Sequence, residues 1–101
     1  MNRLVLSALL LERGPVRYTP AGLPALDLVL QHESTVTEDG QPRKVSMQIK
    51  TVAIGGITQA LVALSLGSAG EFAGFLATAR NGRGLLFHVT SLDIYSGPTA
   101  H

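Results

Sequence analysis

At 101 residues, 46% of them hydrophobic and 15% charged, the chain is sized for one folded domain and is too apolar for a disordered segment. Eight Lys and Arg against seven Asp and Glu leave a net charge of +1, which excludes the gross basic excess of a chain that holds nucleic acid by charge alone. The count of zero cysteines excludes disulfides and thiolate metal sites.

Residues 3–12 form an almost continuous apolar run, stopped by Gly14-Pro15, and predict a strand covered on both faces. One face of a strand in a small barrel meets the core. The outward positions Arg3, Val5, Ser7 and Leu9 are therefore expected to meet a second copy, as the low charge content also implies. The run is short and passes straight into Glu12-Arg13, so it reads as a strand rather than a secretory leader. No stretch approaches the roughly 20 apolar residues needed to cross a membrane.

Residues 14–22 hold Pro15, Pro20 and Gly22 around Arg17-Tyr18 and predict a loop. Leu26, Leu28 and Leu30 then alternate with Asp27, Val29 and Gln31, the period of a half-buried strand. Residues 37–42 predict a second loop. In the third strand Val45, Met47 and Ile49 are expected to face the core, and Ser46, Gln48 and Lys50 to face solvent. Ile57, Leu61 and Leu64 have the spacing of a short helix ended by Gly67. A fourth strand follows over residues 69–78, with Gly74 between Phe72 and Phe75 compatible with a bulge or a sharp bend. Asn81-Gly82 predicts a hairpin, because both residues tolerate positive φ. Residues 85–95 return as the fifth strand, and residues 96–101 form a short, frayed tail.

Five strands with one short helix between the third and fourth make an all-β chain, read as a five-stranded Greek-key barrel of the oligonucleotide-binding (OB) class. Residues 1–101 form one domain, with the barrel ending at residue 95. Nothing in it points to catalysis. No carboxylate pair stands out, and His32, His88 and His101 lack metal-ligand spacing. His32 and His88 read as strand-surface residues. No cofactor and no metal are expected.

Single-strand binding needs cations for phosphates and rings for bases. Arg13, Arg17, Arg43, Lys44, Arg80 and Arg83 all fall in or beside predicted loops and are expected to form a local positive rim. Rings are few: Phe87 reads as core, Phe72 and Phe75 divide between core and surface, and Tyr18 is the best candidate for stacking. The expected DNA-contacting set is Arg17, Tyr18, Arg43, Lys44, Ser46, Gln48, Lys50, Arg80 and Arg83. Scattered solubilising charge is the bland alternative.

Several segments carry a resemblance: Asn2-Arg3-Leu4-Val5-Leu6-Ser7, Pro20-Ala21-Gly22-Leu23-Pro24, Val29-Leu30-Gln31-His32-Glu33-Ser34 and Ala79-Arg80-Asn81-Gly82. The first loop resembles that of bacterial single-stranded-DNA-binding proteins. The whole is similar to the primosomal replication protein N (PriB) family. That resemblance implies a homodimer of OB folds in the bacterial cytoplasm, binding single-stranded DNA, the primosome helicase (PriA) and other primosome proteins during replication restart. Arg17, Arg43 and Arg80 match basic positions of the family. Ser46 stands where the family places an exposed tryptophan, Gln41 where it places a phenylalanine, and Glu33 replaces a basic residue. These departures remove stacking surface and add repulsion. They keep open a second reading, a protein-interaction dimer that tethers or stimulates the helicase with little DNA binding. General single-strand binders carry a long tail with an acidic tip after the barrel, which residues 96–101 do not resemble.

Overall fold

The computed structural model describes residues 1–95; the expected tail, residues 96–101, lies outside them. The strands are β1 (Leu4–Arg13), β2 (Arg17–Tyr18), β3 (Pro24–Glu38), β4 (Gln41–Ile54), β5 (Ala69–Thr78) and β6 (Leu85–Ile94), with one helix, α1 (Ile57–Val62), between β4 and β5. They join in the order β1-β5-β6-β4-β3, and β1 also pairs with β3, which closes a five-stranded barrel. The two-residue β2 is a flap of the first loop laid against β3.

The alternation expected over residues 26–31 is present, and Leu26, Leu28 and Leu30 are buried. They meet Ala8, Leu10, Ala53, Phe72, Phe87 and Val89 in one core, which Leu61 of α1 plugs. Each large side chain buried there contributes roughly 1.5–3 kcal/mol. The last carbonyls of a helix lack donors of their own. Here Arg13 supplies them: its Nη1 donates to the Leu61 carbonyl at 3.1 Å and also to that of Leu64. Arg13 thus belongs to the framework and leaves the expected positive rim.

Residues 37–42 are not a loop. β3 and β4 run on to a turn at Asp39-Gly40, where φ is 51° and 75°. Two successive left-handed residues match the twist of the flanking strands, so Glu38 pairs directly with Gln41. The hairpin therefore projects beyond the barrel. Met47 keeps the parity of a core residue, but it lies past the core and is 37% exposed. The expected β5–β6 hairpin is present. Gly82 and Gly84 take positive φ and Asn81 does not. Asn81 instead accepts the Arg83 N–H on its side-chain oxygen at 2.9 Å, a local turn that fixes the loop.

His32 is a correction to the surface reading. It follows Leu30 on the inward face and is buried. β3 leaves β1 beyond the Leu9–Gln31 pair. The imidazole fills the seam, Nδ1 lying 2.6 Å from the Ser7 carbonyl and Nε2 lying 2.8 Å from the Ser34 hydroxyl. A carbonyl only accepts, so Nδ1 donates.

The bulge lies where Gly74 pointed. Ala73 pairs with Ser91 and Gly74 with Val89, leaving Thr90 as the extra residue on β6. A bulge exchanges the faces of a strand. Phe87 and Val89 before it, and Leu92 and Ile94 after it, therefore all pack on the core. The strands come so close here that a Cβ on Gly74 would sit 1.8 Å from the His88 carbonyl oxygen. Gly74→Ala is expected to force β5 and β6 apart and cost about 2–3 kcal/mol, seen as a melting temperature lowered by some 10–20 °C. Gly56→Ala, with open space and a right-handed backbone, is the milder comparison.

Candidate nucleic-acid interface

Residues directly opposite in adjacent strands share a face of the sheet. The register of β3 and β4 therefore sets an outer face of pairs: Asp27–Val52, Val29–Lys50, Gln31–Gln48, Glu33–Ser46 and Thr35–Lys44. Lys44, Ser46, Gln48 and Lys50 lie together on it, as expected. Arg43 has the opposite parity. Its Nε lies 2.6 Å from Oε1 of Glu38 near the hairpin turn. It thus lies away from the other basic residues.

The parallel contact of β4 with β6 pairs Val52 with His88, and β6 with β5 pairs His88 with Phe75. One row, Asp27, Val52, His88, Phe75, crosses four strands on the outer surface. Phe87 and Val89, on either side of His88, point into the core. His88 and Phe75 stack with ring centroids 4.7 Å apart and planes 9° apart. Phe72 is fully buried and Phe75 is 38% exposed, the division expected from the sequence.

Over this row lies a groove of about 380 Å³ between the first loop and the β5–β6 loop, lined by Arg17, Tyr18, Val52, Ile54, Arg80 and His88 among others. Tyr18 is 69% exposed on one rim and Arg80 is exposed. Arg17 is held by Asp27: Nε donates to one carboxylate oxygen at 2.8 Å and Nη2 to the other at 3.0 Å. The ion pair fastens the flap β2 to β3. It also means that a phosphate reaching Arg17 competes with a carboxylate already in place.

The nine expected contact residues thus occupy distinct places. Arg17, Tyr18 and Arg80 share the groove. Lys44 and Ser46 line a shallow depression with Glu33 on the hairpin. Lys50 borders a separate cleft with Glu12 and Asp27. Gln48 lies between these on the outer face, Arg83 is at the loop tip, and Arg43 is on the other side. The sequence reading put His88 on a strand surface and divided Phe72 from Phe75, but named neither His88 nor Phe75 among the contact residues. The available signal was parity: a polar residue between inward-facing Phe87 and Val89 must face out. Among the described residues no three His, Cys, Asp or Glu side chains are grouped to hold a metal.

The expected homodimer positions share the outer face of β1. Val5 is 44% exposed and Leu9 half-buried. The Ser7 hydroxyl lies 2.9 Å from that of Tyr95, and Arg3 is exposed just ahead of the strand.

A family described as "another single-strand binding protein family" matches residues 2–91. The replication restart protein PriB of Bordetella pertussis is 52% identical over 80 residues, covering 79% of this chain and 75% of that protein. The chain belongs to the PriB family of replication restart proteins. The PriB of Nitrosomonas europaea is 30% identical over 94 residues, covering 92% of this chain and 87% of its own length. Among solved structures, PriB from Ralstonia solanacearum superposes with a TM-score of 0.87 at 33% identity, covering 94% of this chain and 98% of that one. The single-stranded DNA binding protein from Thermus aquaticus, at 24% identity and a TM-score of 0.75, shares the fold; it covers 97% of this chain and 52% of that one. The expected OB barrel is therefore the fold of this chain, and it is an SSB-like fold with one short helix. Among the described residues, no helix of this PriB family member is long and apolar enough to cross a membrane.

The Arg17 hydrogen bonds hold the Asp27 carboxyl below its usual range, against a smaller opposing effect of burial. A depressed folded value means that the pair's stabilisation is present above the carboxyl's unfolded value and is lost as pH falls through the folded one. Carbon-detected NMR titration is expected to find the Asp27 midpoint below the ordinary range in the wild type. It should return to that range in Arg17→Gln.

Proposed function

We propose that this PriB-type barrel binds single-stranded DNA as an accessory of the replication-restart primosome. The strand lies in the groove between the first loop and the β5–β6 loop and continues onto the outer face of β3 and β4. The observation that carries this reading is the groove itself: it combines exposed Tyr18 and Arg80 with the half-buried ring of His88. Lys50, Arg80 and Arg83 have no salt bridge among the described residues and neutralise phosphates. Lys44 extends the track along the hairpin. Ser46 and Gln48 offer hydrogen bonds. Arg17 contributes once Asp27 yields it, and Arg43 lies off the path. The protein binds rather than catalyses, in the bacterial cytoplasm, as a single domain, and its partners include the primosome helicase PriA and other primosome proteins.

It works as a homodimer, joined through the outward side chains of β1 at Arg3, Val5, Ser7 and Leu9. Exposed Val5 and half-buried Leu9 support this assembly. The second reading, a protein-interaction dimer that tethers or stimulates the helicase, is favoured by the two ion pairs. Arg17 and Arg43 are both neutralised internally, so the chain offers DNA fewer free cations than its sequence contains.

Salt-dependent binding of a fluorescent oligo(dT) decides between the readings. Each phosphate-neutralising cation adds about 0.7 to the slope of log affinity against log salt for a single strand. Lys50→Ala and Arg80→Ala are each expected to lower the slope by about that amount, and Arg43→Ala to leave it unchanged. A flat salt dependence in the wild type would establish the interaction dimer instead. For assembly, Val5→Lys and Leu9→Lys are each expected to shift the sedimentation coefficient toward that of a monomer. Two variants sedimenting as the wild type would remove β1 from the interface.

A further inference from the structure

We infer that His88, backed by Phe75, is the base-stacking platform of this chain. The inference rests on the reading that the groove takes single strands, and it names the side chains that hold a base there. Ser46 offers no ring on the hairpin, and Tyr18, on a loop rim, has no ring stacked against it. The His88–Phe75 pair is different. It is the one stacked aromatic pair among the described residues, with ring centroids 4.7 Å apart and planes within 9° of parallel, and it stands on two hydrogen-bonded strands.

The geometry sets which ring a base meets. His88 lines the groove, whereas Phe75 does not and lies on its far side. On its other side His88 neighbours Val52, an aliphatic residue 3% exposed, which makes an apolar floor. One face of the imidazole is thus covered by Phe75, which fixes the ring upright, and the other borders the space over Val52. A nucleobase entering there has a ring beside it and a methyl floor beneath it. Tyr18 and Arg80 stand at the margins for the sugar and phosphate. Stacking of this kind holds any base, because every base has a π face.

The test compares oligo(dT) with an abasic strand of equal length by fluorescence anisotropy, at one fixed salt concentration. His88→Leu is expected to weaken oligo(dT) binding about tenfold and to leave the abasic strand unchanged. His88→Phe, which keeps a flat ring, retains wild-type affinity for oligo(dT). Phe75→Leu gives a smaller loss, again on oligo(dT) only. Phe75 is partly exposed, so this variant keeps the test available if His88→Leu alters the melting temperature. Lys50→Ala is the backbone control and weakens both strands alike. Equal losses on both strands for His88→Leu, with no rescue by His88→Phe, would show that the imidazole serves the backbone and would overturn the platform. If neither ring variant changes binding while Lys50→Ala does, the platform falls and the DNA-binding reading stands. A wild type that binds neither strand removes both.

Discussion

The close approach of β5 to β6 at Gly74 is the constraint on which the rest depends. No side chain fits between Gly74 and the His88 carbonyl. The one-residue bulge at Thr90 restores the ladder with its faces exchanged. With that exchange, Phe87 and Val89 reach the core from one half of β6, and Leu92 and Ile94 reach it from the other. The same register sets His88 opposite Phe75 and next to Val52. Core packing and the floor of the groove are therefore two faces of one strand alignment, and neither changes without the other.

Three of the eight basic residues are engaged within the fold. Arg13 caps α1, Arg17 is clamped by Asp27 and Arg43 by Glu38. Each interaction serves the fold by fastening a helix end, a loop flap or a hairpin tip. Exposed ion pairs of this kind contribute at most about 1 kcal/mol each. Their larger consequence is electrostatic: they remove cations from the field that an approaching polyanion meets. With a net charge of only +1, the proposed DNA-binding role leans on the groove as well as on the free cations.

Much of the fold was legible in the sequence because it rests on period-two burial. Leu26, Leu28 and Leu30 signalled β3, Gly74 the bulge, and Ile57 with Leu61 the helix. The length of the β3–β4 hairpin was obscured by its polar composition, since a strand projecting beyond the core has no inner face to keep apolar. Asp39-Gly40 was the remaining signal. His32 was read as surface because a buried polar residue is recognised by its partners, here Ser7 and Ser34, and those depend on where β3 parts from β1. The ion pairs were hidden for a similar reason. Asp27 lies two residues beyond Ala25, the partner of Arg17, a neighbour that only strand register reveals. The basic residues were correctly seen as a group by type, yet register divides them among a groove, a cleft, a hairpin face and its reverse.

The proposed contact of single-stranded DNA with the outer row over β4, β6 and β5, between the two loops, is open to direct test. Backbone amide NMR during titration with unlabelled oligo(dT) tests it most directly. The largest shifts are expected at Tyr18, Val52, Ile54, Arg80 and His88, extending to Lys50, with Met47, Arg43 and Val45 on the reverse of the hairpin unmoved. Shifts confined to that reverse face, or none at saturating oligonucleotide, would contradict it.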